Sequence, residues 1–392
     1  MKYKHVALLS IGHLVTDINQ GALPALLPFF IAAHGLSYTA AAGIVFALNM
    51  ASTIIQPLFG HAADRFSKPW LLLVGMLLAG SGLSLTGISP NYTWIFVLSI
   101  ISGVGIAAYH PEAARLVHFS AGERKGTAMS FFGIGGTLGF AIGPILATSA
   151  MLYWGLKGTL VLFVPVSIMA LVMATQLSKV ASPENTIRYK KAAEGSENLR
   201  DAWAPFIRLT LTIIGRAVLF FGLNTFIPLY WVHVLHESKA AGGMALAVYA
   251  GSGVLGNLLG GNMADRIGQK KVILFGFFSL AALFPIFVWV DDARIAMLLL
   301  IPISLTLFGT YSPTIVLGQK YLPNRIGLSS GVTIGIAIAI GGGAAPIIGK
   351  IADLHGIRFA LASLAFLPVI TAALALTLPD PQNINQAGKK RL

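Results

Sequence analysis

The sequence predicts an all-α integral membrane protein of twelve transmembrane helices arranged in two pseudosymmetric six-helix bundles. Three observations carry that expectation. The 392 residues are 56% hydrophobic and 10% charged, with a mean hydropathy of +0.78, which leaves too few polar side chains to cover a soluble globule of this size. Apolar stretches of roughly 20 residues, each able to cross a hydrocarbon core of about 30 Å, follow one another with short polar breaks. A charged phrase is also written twice: Gly60, Asp64 and Arg65 recur 201 residues later as Gly261, Asp265 and Arg266, and Arg124 and Gly126 recur in the same register as Arg325 and Gly327. Two homologous halves suit a membrane carrier whose substrate lies between repeats.

The expected spans are 6–31, 39–62, 69–88, 93–117, 126–152, 157–178, 205–232, 238–263, 270–290, 293–317, 327–350 and 356–378. They divide the chain into a first bundle (1–178), a cytoplasmic linker (179–204), a second bundle (205–378) and a polar, basic tail (379–392). The linker carries Pro183, Glu184, Arg188, Lys190, Lys191, Glu194, Glu197 and Arg200, a composition that favours a solvated connection near lipid headgroups. Lys2 and Lys4 before an apolar run also fit a signal peptide, but Asp17, Asn19 and Gln20 interrupt that run, and its length favours a retained helix.

With a cytoplasmic N-terminus, Lys157, Lys239, Arg294, Lys350 and Arg358 fall outside and Arg216 within a span, leaving 21 of the 27 basic residues inside. This is a strong positive-inside bias, expected of a bacterial plasma (inner) membrane protein with both termini cytoplasmic. The net charge of +13 is therefore a topology and lipid signal and does not argue for nucleic acid. The absence of cysteine excludes disulfides, thiolate catalysis and thiolate-bound metal.

A charge at the bilayer centre costs roughly 2.5–3.5 kcal/mol even on lenient scales, so each ionisable residue inside a span is a functional candidate. In the first span Ser10, His13, Asp17 and Gln20 share one face and predict a wet stripe. Asp17 is about 11 residues in, roughly 16 Å deep at 1.5 Å per residue, where a carboxylate can load and release a proton. His13, one turn nearer the cytoplasm, can relay protons, contact substrate or simply pack. Metal binding by His13 and Asp17 is not expected, because two such donors lack a third at matching spacing.

The second span ends on Gly60, Asp64 and Arg65 and the eighth on Gly261, Asp265 and Arg266, each phrase giving a close-packing glycine, a capping acid and a pairing cation. The fourth span holds His110, Pro111, Glu112 and Arg115. Pro111 removes a backbone donor and predicts a kink, Glu112 and Arg115 can pair at i, i+3, and His110 points about 200° away from Glu112. In the fifth span Gly133, Gly135, Gly136, Gly139, Gly143 and Pro144 favour close packing and bending, answered in the eleventh by Gly341, Gly342, Gly343 and Pro346. The seventh span contributes Arg216, with Thr212, Asn224 and Thr225 nearby in projection. The tenth contributes Thr306, Thr310, Tyr311 and Pro313, and Phe29, Phe30, Phe220, Phe221, Tyr230 and Trp231 supply aromatic walls. Gly251 to Gly256 matches a dinucleotide fingerprint by letter, but no strand precedes it, so helix packing is the better reading. No catalytic motif accompanies it.

Over essentially the whole chain these features resemble the major facilitator superfamily, through the twelve spans, the mid-chain loop and the duplicated Gly-x-x-x-Asp-Arg. The second copy keeps the trailing Gly268, Lys270 and Lys271, whereas the first has Ser67, Lys68 and Pro69. Within it the chain is similar to the fosmidomycin-resistance group of drug exporters, through His13-Leu14, Asp17 and Gln20; Gln56-Pro57; His110-Pro111-Glu112 and Arg115; and Leu322-Pro323 with Arg325, Gly327 and Ser330-Gly331. Gly139 to Pro144 resembles the core of the exporter motif, with Ala147 and Thr148 in place of its trailing glycines. The mid-helix arginine of drug–proton antiporters is replaced by Ser99.

The resemblance implies a cavity lined by the first, fourth, seventh and tenth spans, with the Gly-x-x-x-Asp-Arg phrases and Arg115 as gates and Gly139, Gly143, Pro144 and Pro346 as hinges. Proton coupling falls to Asp17, Glu112, His13 and His110, and substrate binding to Gln20, Arg216, Asn224, Tyr311, Phe30 and Trp231, with Arg216 facing Asp17 or an anionic substrate. The expected function is export of a small organic compound or antibiotic, anionic and fosmidomycin-like, by proton-coupled antiport and alternating access. The alternatives are a metabolite importer or exchanger of the same fold and a non-transporting sensor. The expected partners are substrate, protons and the bilayer, for a monomer without cofactor or enzymatic activity.

Overall fold

The computed structural model describes residues 3–65, 69–121, 125–180, 201–325, 328–329, 332–333 and 337–380. At 60–65, 118, 125–127, 178–180, 337 and 338 only the backbone is described. Ser67, Lys68, Arg124, Gly327, Ser330, Gly331, most of the linker, nearly all of the tail and the side chains of Asp64 and Arg65 therefore lie outside the described set.

Every regular element among the described residues is helical. They are α1 (Tyr3–His34), α2 (Tyr38–Arg65), α3 (Trp70–Ser84), α4 (Tyr92–Ser120), α5 (Lys125–Trp154), α6 (Phe163–Val180), α7 (Trp203–His233), α8 (Lys239–Ile267), α9 (Gln269–Trp289), α10 (Ala293–Gly309), α11 (Tyr311–Tyr321), α12 (Ala337–His355), α13 (Ile357–Ala362) and α14 (Phe366–Leu376). Among the described residues ten helical stretches are long and apolar enough to cross a membrane. One of them, Ala128–Leu177, contains two expected spans, and α12 supplies the longest described part of the span expected at 327–350. The span expected at 293–317 is broken at Thr310 into α10 and α11. Pro313 lies in the first turn of α11, where its missing N–H leaves no hydrogen bond unmade.

The chain clusters into two compact units. The first holds the described residues up to 180 together with 227–232 and 236–251; the second holds 201–226, 233–235 and 252–380. Residues 227–232 and 236–251, assigned from sequence to the second bundle, thus cluster with the first unit. Contacts within that unit include Lys239 Nζ 4.7 Å over the Phe29 ring and Gly243 against Thr148.

In the first unit α1 lies in a groove on α5. Gly135, Gly139 and Gly143 recur every fourth residue and meet the backbone of Ser10, Leu14 and Ile18, while a Cβ on Gly21 would stand 2.5 Å from Phe140 Cα. The glycines read as hinge or packing residues thus bring α1 against α5, and Pro144 sits inside an α5 that runs unbroken from Lys125 to Trp154. On its other side α1 joins α3, α4 and α6 in a core that includes Val6, Leu9, Leu72, Met76 and Met173, where Tyr109 Oη donates to the Leu9 carbonyl at 2.9 Å. α4 likewise continues through Pro111 to Ser120.

In the second unit Gly253, Gly256 and Gly260 of α8 meet Phe308, Leu305 and Gly309 of α10, so the apparent dinucleotide fingerprint is a helix-packing surface. Leu298 on α10 is 66% exposed and Leu171 on α6 is 69% exposed, as lipid-facing side chains should be.

Candidate functional site

The site begins with the backbone of α1, which Gly135 and Gly139 allow to approach α5 so closely that His13 and Asp17 point into protein. Of the stripe expected to be wet, His13 and Asp17 are buried, at 9% and 5% exposed, while Ser10 and Gln20 are half-buried. The reason is tertiary, since α4 and α5 cover the face that periodicity alone leaves open. Ser10 Oγ donates to the Val6 carbonyl, and Gln20 Nε2 donates to Asn49 Oδ1 on α2 at 2.7 Å.

Around Asp17 two imidazoles converge. His13 Nε2 is 3.2 Å from Oδ2, at the i, i+4 spacing of one helix, and His110 Nε2 reaches across from α4 to 3.1 Å from Oδ1. The rings meet edge to face, 4.8 Å between centroids. His13 also stacks on the Phe132 ring, and its Nδ1 is 2.7 Å from the Phe132 carbonyl oxygen.

That last contact fixes the chemistry of the pair. A carbonyl oxygen only accepts, so Nδ1 carries a hydrogen. In a neutral ring Nε2 would then present a bare lone pair to a carboxylate oxygen, an arrangement that repels. One proton therefore belongs to the His13–Asp17 contact, either as imidazolium with carboxylate or as imidazole with carboxylic acid. His110 is oriented by a hydrogen bond to the backbone of Ile106, one turn earlier in α4.

Glu112 and Arg115 form the expected pair, with Arg115 Nη2 2.6 Å from Oε1 and Nε 3.0 Å from Oε2. Glu112 is fully buried and held bidentately, so the four residues assigned together to proton coupling separate into the Asp17 cluster and a distinct ion pair.

In the second unit Arg216, 8% exposed, lays its guanidinium carbon 4.9 Å above the centroid of Tyr311. Phe220, four residues along α7, packs edge to face on Phe308 at 5.4 Å, and Asn224 is buried one turn further. Phe30 and Trp231, expected as aromatic walls, are fully buried in the first unit. At the end of α8, Asp265 and Arg266 are exposed and make no ion pair with described residues. Gly268 follows with φ +96°, a left-handed conformation that glycine tolerates, and begins α9. Pro346 lies inside α12.

Sequence reasoning missed Asn49, Phe132 and Gly136 as neighbours of this site. Gly136 was counted among the packing glycines, yet a Cβ there would stand 2.5 Å from His13 Nε2 and 2.8 Å from Asp17 Oδ2. Nothing in the sequence separates it from Gly135, because only the packing of α1 on α5 assigns one to backbone and the other to side chains.

Helices of this length, charged groups buried within their spans and the duplicated phrase at helix ends define a polytopic membrane carrier. The chain belongs to the Major Facilitator Superfamily, whose profile matches residues 9–332. It is therefore a transporter of the twelve-helix, two-bundle fold and not an enzyme. It is 28% identical to the "Fosmidomycin resistance protein" of Escherichia coli (strain K12) over 375 residues, 95% of this chain and 92% of that protein. It is equally 28% identical over 389 residues to the "Uncharacterized MFS-type transporter YfnC" of Bacillus subtilis (strain 168), covering 98% and 95%. Among solved structures, a bacterial homolog of the human lysosomal transporter Spinster, inward-facing and occupied, superposes with a TM-score of 0.80 at 13% identity, over 95% of this chain and 96% of that one. The nucleoside transporter NupG gives 0.77 at 14% identity, over 95% and 99%.

Proposed function

We propose that this protein exports a small anionic organic compound from a bacterial cell, across the inner membrane, in exchange for protons. The observation that carries the reading is the buried His13–Asp17–His110 cluster, in which one proton must sit between His13 Nε2 and Asp17 Oδ2 and a second imidazole stands ready on the other carboxylate oxygen. Such a group can gain a proton when water reaches it from one side and lose it to the other, moving charge without moving a helix far. The drug-resistance name of a relative 28% identical over almost the whole chain supports the cargo class.

Arg216 supplies the complementary function. Its charge is permanent, it is largely desolvated, and Tyr311 fixes one face of the guanidinium, so that it can offer a phosphonate or carboxylate an oriented, planar cation. Glu112–Arg115 is a pair whose exchange of partners accompanies opening, and the Gly-x-x-x-Asp-Arg phrases close the cytoplasmic side. Gly139, Gly143, Pro144 and Pro346 are the positions at which the helices bend.

The test is proton-driven efflux in proteoliposomes with an imposed pH gradient, using fosmidomycin as probe. Wild type should couple drug movement to proton movement, and Asp17→Asn should uncouple them. Unchanged gradient-driven efflux in Asp17→Asn would overturn the assignment, and absence of flux with any anionic drug would shift it to metabolite exchange.

A further inference from the structure

The His13–Asp17–His110 cluster has the composition of something besides a proton site. We propose that these three side chains form a binding site for a divalent transition-metal ion of the Zn2+ class, within the first unit and bridging α1 to α4. The proposal rests on the donor set and its geometry and stands whatever the cargo or direction of transport; the ion would take the place of the proton held between His13 and Asp17, so the two compete for the cluster.

Two imidazole nitrogens and one carboxylate are the donors that borderline divalent ions take, and the three ligating atoms lie within 4.8 Å of one another. An ion held at about 2.0–2.1 Å by tetrahedral donors keeps them about 3.3 Å apart. The His13–Oδ2 and His110–Oδ1 separations, 3.2 and 3.1 Å, are close to that value but run to different oxygens, so an ion would have to draw together a donor set that spans up to 4.8 Å. The expectation against a metal counted only His13 and Asp17, and the fold brings the third donor from α4.

The surroundings are those of ligands. A metal-binding histidine characteristically donates its other ring N–H to a carbonyl, which fixes the tautomer and turns the remaining lone pair to the ion. His13 does this through Phe132, and His110 engages the backbone of Ile106. Asp17 Oδ1 is buried with His110 Nε2, 3.1 Å away, as its neighbouring donor atom. Gly136 leaves the His13–Asp17 face clear where a methyl group would intrude. The His110 side chain, 17% exposed, is the most accessible of the three, and three protein ligands leave a fourth position for water or an oxygen of the cargo.

The experiment uses the full chain in detergent, treated with chelator and without a polyhistidine tag, and titrates it with Co2+. One equivalent should give the visible absorption of a four- or five-coordinate nitrogen–oxygen site, which Zn2+ then abolishes. His110→Gln and Asp17→Asn, shown to be folded by their elution and metal-free unfolding temperature, should each weaken Zn2+ binding at least about tenfold. If either variant fails to fold, X-ray absorption of the wild type with one equivalent of Zn2+ decides, with two imidazoles in the first coordination sphere as the expected result. A purely aqua-like, six-coordinate Co2+ spectrum, equal Zn2+ affinity in wild type and folded variants, or fewer than two imidazoles per ion overturns the site.

Discussion

The two halves of the chain each place a buried charged group against a ring at related sites, and give the two contacts opposite chemistry. The 201-residue repeat sets His110 against Tyr311 and puts Asp17 in register with Val218, two residues from Arg216. In the first unit a carboxylate on α1 meets an imidazole on α4; in the second a guanidinium on α7 lies over a phenol ring on α11. The α4 position of the contact has its counterpart in Tyr311, while the charged partner on α7 is offset by two residues from the counterpart of Asp17 and has the opposite sign. The first contact has the groups to exchange a proton under the proposed function, whereas the second holds a charge that never titrates. The same pattern recurs at the helix starts, where Asn91 caps α4 and its repeat counterpart Asp292 caps α10, one neutral and the other ionised.

The largest effect should follow from Asp17→Asn, which leaves shape and volume nearly unchanged but removes the proton-carrying oxygen. Proton flux driven by substrate should be lost, while substrate binding measured in detergent persists. Next comes Arg115→Met, which strands Glu112 as a buried, unpaired carboxylate at a cost of about 3–5 kcal/mol, read as a fall in unfolding temperature. Pro313 is the repeat counterpart of Glu112, so no equivalent penalty exists in the second unit, and Glu112→Gln combined with Arg115→Met should recover most of the loss.

Arg216→Gln should cost about 2 kcal/mol of desolvated cation–π interaction, read as a fall in unfolding temperature, and should weaken binding of an anionic substrate, with Tyr311→Phe close to wild type because the ring face is retained. Asn49→Leu removes the acceptor of Gln20 and should cost about 1 kcal/mol in unfolding experiments.

The smallest difference lies in the caps. The N–H groups of Ile295 and then Arg294 hold the Asp292 carboxyl below its ordinary value. A lowered folded value means that its contribution is present above the ordinary carboxylate range and fades as pH falls through the lowered one. A slight acid-side loss of stability should therefore vanish in Asp292→Asn, while Asn91→Ser at the corresponding start of α4 introduces no pH dependence.

Much of the architecture was legible because lipid imposes it. Span lengths follow from hydrocarbon thickness, the duplicated phrase reveals the halves, and the Glu112–Arg115 contact follows from i, i+3 spacing on one helix. What was not legible depends on how one helix lies against another. His110 was known to point away from Glu112, but that it meets Asp17 is settled by the approach of α4 to α1. The face of His13 and Asp17 was read as wet because periodicity records which residues share a stripe and not what covers it. The break at Thr310 escaped notice because Gly309, Thr310 and Tyr311 are apolar enough to pass as mid-span residues.

The division of labour between the halves is tested most directly by measuring, in one set of proteoliposomes, substrate-evoked proton flux alongside substrate binding for wild type, Asp17→Asn and Arg216→Gln. Asp17→Asn should abolish proton flux and retain binding, whereas Arg216→Gln should weaken binding and restore proton flux at saturating substrate. If the two variants lose flux and binding in the same proportion, or if neither changes, then the Asp17 cluster and Arg216 do not divide proton and substrate between them.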